Sequence, residues 1–114
     1  SRRVRQILIN LVSNAFKFTD KGYVLLDVSL LDHNLYFRVK DSGIGISKEN
    51  IPFIFDRFKK FASDDNRVFR GTGLGLSISL NLAHKMHGEI TVSSILGEGS
   101  EFVLMLPVDF REQE

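Results

Sequence analysis

Asn14 and Lys17 stand one helical turn apart in the stretch INLVSNAFKFT, and both side chains suit a polyanion. An amide oxygen can bind a hard cation such as Mg²⁺, and an ammonium can neutralise phosphate oxygens. Asp41 follows, just ahead of Gly43 and Gly45. A carboxylate held there could accept a hydrogen bond from an exocyclic amine such as adenine's, while the glycines let the backbone approach the ring. The third segment is Gly71-Thr72-Gly73-Leu74-Gly75-Leu76. It opens a helix, so its N–H groups and the helix dipole suit a phosphate anion. In this order the three can together hold a nucleotide.

Each segment also has a plainer reading. Asn14 and Lys17 fit a polar helix flank facing water, and Asp41 fits a tight turn after a strand. The third segment fits a flexible hinge. It is not a P-loop, because no Gly-Lys-Ser/Thr follows, and its third glycine comes one residue early for a dinucleotide fingerprint. Phe55, Phe58 and Phe61 in FDRFKKF read as a short helix packing its aromatic side on the core, from which Arg57, or else Arg70, could reach a γ-phosphate. His33 reads as a turn residue, and His84 and His87 lie near a helix end, where cations sit well beside carbonyls.

The elements that must position these groups follow from periodicity. Val4, Ile7, Leu8, Leu11, Val12 and Ala15 recur at helical spacing, which predicts an amphipathic helix over residues 2–18. At about 100° per residue, Asn10, Asn14 and Lys17 fall within roughly 60° of one another on a neighbouring face that need not be buried. Residues 23–31 and 35–40 read as strands joined by a turn at Asp32, His33 and Asn34. Residues 42–75 carry glycines only at their two ends, with Pro52, an apolar-aromatic stretch and the polar run 63–67 between, which suits a lid or binding loop. Helical spacing resumes over 77–87, with Gly88 as the expected C-terminal cap. Residues 89–95 and 101–107 then read as a closing hairpin around a turn at 96–100. The expected architecture is an α/β (α+β) sandwich, with helices on one face of a mainly antiparallel mixed sheet.

Composition narrows the function classes. A length of 114 residues at 43% hydrophobic fits a single domain, 1–114, with a modest core. Fifteen basic against 14 acidic residues leave no electrostatic footprint for nucleic acid. The absence of cysteine excludes a disulfide frame and a thiolate metal site, and suits a reducing, cytoplasmic setting. Asn10, Asn14 and Asp27 interrupt the longest apolar stretches, so no membrane span or membrane contact is expected of this chain.

Taken as a set, RQILINLVSNAFKFT, DSGIGI, FDRFKKF, GTGLGLSI and GEGSEF resemble, in order, the N, G1, F, G2 and final glycine boxes of sensor histidine kinases. The resemblance covers nearly the whole chain. It implies the ATP-binding fold shared with gyrase-type ATPases and heat-shock chaperones, ATP with Mg²⁺, and phosphoryl transfer to a histidine. Asn14 would be the Mg²⁺ ligand, Lys17 a phosphate contact and Asp41 the adenine reader, with residues 46–70 as the ATP lid. Nucleotide contacts would also come from Asn10, Gly43, Gly45, Ile46, Arg57, Phe58, Arg70 and the Gly71–Leu76 segment, that is Gly71, Thr72, Gly73, Leu74, Gly75 and Leu76. ATP-hydrolysing relatives carry a glutamate as general base four residues before the magnesium-binding asparagine, where this chain has Asn10.

Two departures stand out. The phosphoacceptor histidine of the family lies in a preceding helical hairpin that this sequence does not contain, and the customary first strand is missing too. The expectation is therefore an excised or truncated ATP-binding domain. Its partners would be a phosphoacceptor hairpin domain of the same or a partner subunit and a downstream response-regulator receiver, in a homodimeric parent; LAHKMHGEI resembles the hybrid branch. An ATP hydrolase or a non-catalytic nucleotide sensor of the same superfamily are the alternatives.

Overall fold

A computed structural model of the chain describes residues 2–19, 21–55 and 73–108. Helix α1 runs Arg2–Phe18 and buries Ile7, Leu11, Asn14, Ala15 and Phe18, a stripe with one polar member. Strands β1 (Val24–Leu31) and β2 (Asn34–Asp41) form a hairpin, and a short 3-10 helix spans Ile51–Phe53. Helix α2 (Gly73–Lys85) leads to β3 (Glu89–Ile95) and β4 (Gly99–Pro107). The four strands lie in the order β1-β2-β4-β3. Every described pair is antiparallel, so the mixed character expected of the sheet is not found among them.

One face of the sheet and the two helices enclose the core. Ile7 and Leu11 of α1, Leu76 and Ala83 of α2, and Met86 just beyond it join Val39, Ile90, Phe102 and Leu104 of the strands. Each fully buried aliphatic side chain here contributes roughly 1.5–3 kcal/mol of transfer free energy. Phe55 meets Phe102 edge-on, with ring centroids 6.4 Å apart, so the first phenylalanine of FDRFKKF does pack on the core; Phe58 and Phe61 lie outside the described residues. The helices cover little of β1 beyond Val24. Leu26, Val28 and Leu30 share the parity of the core residues of β2 yet remain 49%, 52% and 65% exposed.

Several boundaries differ from the sequence reading. The β1–β2 turn is two residues long, Asp32 and His33, with φ of 52° and 67°, and Asn34 already belongs to β2. Positive φ at both central positions matches the right-handed twist of the strands, which three-residue spacing would not. At the end of α2 the left-handed residue is His87, φ 63°, rather than Gly88. His87 N–H bonds the His84 carbonyl at 3.0 Å and Gly88 N–H bonds the Ala83 carbonyl at 2.8 Å, the two closures of a Schellman cap. Gly99 and Ser100, expected in the last turn, open β4 instead. The α2–β3 junction also carries a half-exposed pair, His84 Nε2 and Glu89 Oε1 at 2.9 Å, which holds the Glu89 carboxyl below its usual range.

His33 occupies a left-handed turn position that costs a non-glycine residue about 1 kcal/mol. His33→Gly should therefore raise the unfolding free energy by up to about 1 kcal/mol, part of it returned through the freer unfolded chain. Urea denaturation of the two proteins checks this, and a less stable variant contradicts the turn assignment.

Candidate nucleotide site

The last turn of α1 and the loop after β2 are held against each other. Ile44 N–H donates to the Phe18 carbonyl at 3.1 Å, which docks the loop on the helix end. A Cβ on Gly43 would fall inside contact distance of that same carbonyl oxygen, so only glycine permits the approach. On the other side, Gly97 N–H donates to the Ile44 carbonyl at 2.6 Å, and Gly45, φ +75°, lies against the Ile95 carbonyl. The glycine loop is thus clamped between α1 and the β3–β4 turn.

Two polar groups are buried near this clamp. Asn14 is only 5% exposed, and its Nδ2 has no hydrogen-bond partner. The sequence reading left its face open to solvent; the helix turns it inward instead, because Leu11, Ala15 and Phe18 bury the same stripe. Asp41, the last residue of β2, is 2% exposed. Burial raises its carboxyl pKa, partly countered by N–H groups of Gly43, at 2.9 Å, and Ser100. Lys17 is exposed in the last turn of α1, where its charge also suits the helix dipole.

Other expected site residues divide. Asn10 faces α2: its Nδ2 donates to the fully buried Ser79 Oγ at 3.0 Å. Ile46 is buried and its N–H donates to Ser94 Oγ at 2.7 Å. Gly73, Leu74 and Gly75 form the first turn of α2, and Leu76 points into the core at 1% exposure. Arg57, Phe58, Arg70, Gly71 and Thr72, and with them residues 56–70 of the expected lid, lie outside the described residues.

Sequence reasoning missed Ser94 and Ser100. They lie in register with Asp41 across three strands, and all three border a cleft of about 450 Å³ with Tyr23, Lys40 and Glu98. The signal was the parity of the strands, hidden because Ser100 was read as turn.

The Asp41 shift gives a signed expectation. Its folded pKa is raised, so below that value the folded state holds the proton more tightly than the unfolded chain, and stability rises as pH falls through the window. Asp41→Asn lacks this contribution. The stability of the wild type relative to Asp41→Asn should therefore grow as pH drops from neutral into the carboxylate range, read by denaturant titration of both. A gap moving the opposite way would mean that the buried charge is stabilised.

Residues 1–109 match the model of the histidine kinase-, DNA gyrase B- and HSP90-like ATPases. The chain is 43% identical over 111 residues to hybrid signal transduction histidine kinase B of Dictyostelium discoideum, covering 93% of this chain and 6% of that protein. It is 42% identical over 106 residues to the sensor histidine kinase RcsC of Escherichia coli K12, covering 93% of this chain and 11% of that protein. The chain thus spans a small fraction of these relatives. Among solved structures, full-length ShkA in complex with AMPPNP superposes with a TM-score of 0.78 at 38% identity, over 97% of this chain and 22% of that one. The clamped glycine loop, the buried amide and carboxylate, and these matches agree: the chain belongs to the family of histidine kinase-, DNA gyrase B- and HSP90-like ATPases, alongside sensor and hybrid histidine kinases.

Proposed function

We propose that the chain binds Mg²⁺-ATP and presents its γ-phosphoryl group to a histidine supplied by a separate helical-hairpin domain. One observation carries this reading: a buried carboxylate, Asp41, stands at a glycine loop docked on the helix end that bears Asn14 and Lys17. Asp41 reads the base. Its carboxylate is acceptor-only and complements the exocyclic amine of adenine. Lys17, exposed at the helix end, neutralises phosphate oxygens.

Asn14 fits a cation ligand. A buried amide with one end unpartnered is costly unless something occupies it. A half-turn of the amide exchanges nitrogen for oxygen, a donor that suits a hard cation. When bound, Mg²⁺ would neutralise charge on the phosphate oxygens. The similarity to a kinase solved with AMPPNP supports a nucleotide in this fold.

The domain's contribution is positioning and electrostatics, since the nucleophile comes from elsewhere. Asn10 stands where a hydrolase would need a base. A neutral amide takes no proton at neutral pH, and this one is already bonded to Ser79. Water near the γ-phosphate is left unactivated, which preserves ATP for an incoming imidazole. A receiver domain downstream accords with the hybrid relative, and the same reading takes the parent as dimeric and cytoplasmic. No described helix is long and apolar enough to cross a membrane.

Calorimetry should show ATP binding in the presence of Mg²⁺, weakened on the order of 1–3 kcal/mol by Asp41→Asn, because the asparagine oxygen stays with the Gly43 N–H and its NH₂ then meets the adenine amine donor to donor. Equal affinities would remove Asp41 from this role. Hydrolysis of free ATP should run far below a typical turnover of about 10 s⁻¹. Rapid hydrolysis abolished by Asn14→Ala would overturn the phosphoryl-donor reading in favour of an ATPase.

A further inference from the structure

Asp41, Ser100 and Ser94 form one row across the sheet: the register pairs Asp41 with Ser100, and Ser100 with Ser94. The neighbouring row on the same face is apolar, Val39, Phe102 and Val92, so the polar row stands at the margin of the core. The hydroxyl protons in this row can be assigned by counting. Ser94 Oγ carries one proton and can accept two bonds. It receives the Ile46 N–H at 2.7 Å. It also lies 2.9 Å from the Gly99 carbonyl oxygen, which can only accept, so the Ser94 proton goes there. Ser100 Oγ is 2.7 Å from Ser94 Oγ and must then be the donor of that bond.

The consequence reaches Asp41. With its proton committed to Ser94, the Ser100 hydroxyl offers only lone pairs to any further group on this face. The Asp41 carboxylate beside it also only accepts. On this face of the sheet, opposite to that of Lys40, the pair therefore matches a group rich in donors and repels one that presents an oxygen.

We propose that Ser94, which itself need not touch the nucleotide, is a positioning residue for base selectivity: it locks Ser100 as an acceptor, so that the site admits a purine with an amine at position 6 and rejects one with an oxygen there. The inference rests on the reading of Asp41 as the group that faces the base. Without the Ser94 hydroxyl, Ser100 can rotate and donate to a 6-oxo group, while Asp41 accepts the N1–H that such a base carries. Discrimination then relaxes.

The test is calorimetric titration of the whole chain with ATP and with inosine triphosphate, each with Mg²⁺, for wild type, Ser94→Ala, Ser94→Thr and Ser100→Ala, with thermal melts of each. Wild type should prefer ATP. Ser94→Ala should narrow the ratio of the two dissociation constants by roughly five- to tenfold, the worth of one hydrogen bond. Ser94→Thr, which keeps the hydroxyl, should hold the wild-type ratio. A purely architectural role would weaken both nucleotides alike and leave the ratio unchanged, which overturns the proposal. So would Ser94→Thr behaving as Ser94→Ala. If the melts show Ser94→Ala unfolded, Ser100→Ala decides: a narrowed ratio supports the proposal and an unchanged one overturns it. Wild type binding neither nucleotide would instead refute the nucleotide reading itself, a result distinct from ATP binding with an insensitive ratio.

Discussion

Two carbonyl oxygens, those of Phe18 and Ile95, sit where side chains on Gly43 and Gly45 would have to be. The rest of the site depends on this close backbone approach. It lets a single short loop touch the end of α1 on one side and the β3–β4 turn on the other, with hydrogen bonds at 3.1 Å and 2.6 Å closing the two contacts. Asp41 stands at the root of the loop and Asn14 on the helix the loop leans on. Neither residue reaches the other through its own side chain; main-chain packing sets their relation. Such an arrangement is stiff, because a backbone carbonyl cannot rotate away as a lysine or leucine can.

That stiffness sustains an electrostatic cost. Burying the Asp41 carboxyl disfavours its charge, and the N–H groups of Gly43 and Ser100 offset the penalty only in part. Asn14 carries an analogous cost in its unpartnered amide. A fold selected only for stability would put apolar groups at both places, as the surrounding stripe of Leu11, Ala15 and Phe18 shows it can. Strain of this kind, held by surroundings that fix it, recurs at binding sites and accords with the proposed roles of both residues.

What the sequence made legible was whatever repeats along the chain or demands a special residue type. The bounds of α1 followed from apolar spacing alone, and both hairpins appeared where predicted. The Asp41 loop was legible because its glycines are adjacent in sequence. Errors arose where two residue types could do one job. Gly88 was expected to take the left-handed cap position, yet His87 holds it, because the cap closes one residue earlier. Asn34 looked like a turn residue until pairing with Leu31 placed it in β2. Ser94, and the partnership of Ser100 within GEGSEF, were invisible for a deeper reason. Their meaning lies in the alignment of three strands, a relation between distant segments that no local pattern carries.

The hydrogen bond between Asn10 and Ser79 has a mechanical consequence. Apolar helix faces can slide past each other by a turn at modest cost, since one leucine replaces another. A polar pair with the hydroxyl fully buried cannot follow such a shift without stranding both groups. The bond therefore acts as a pawl between α1 and α2. It fixes the helix that carries Asn14 and Lys17 against the helix whose first turn contains Gly73 and Gly75, so the two ends of the site keep a common frame of reference.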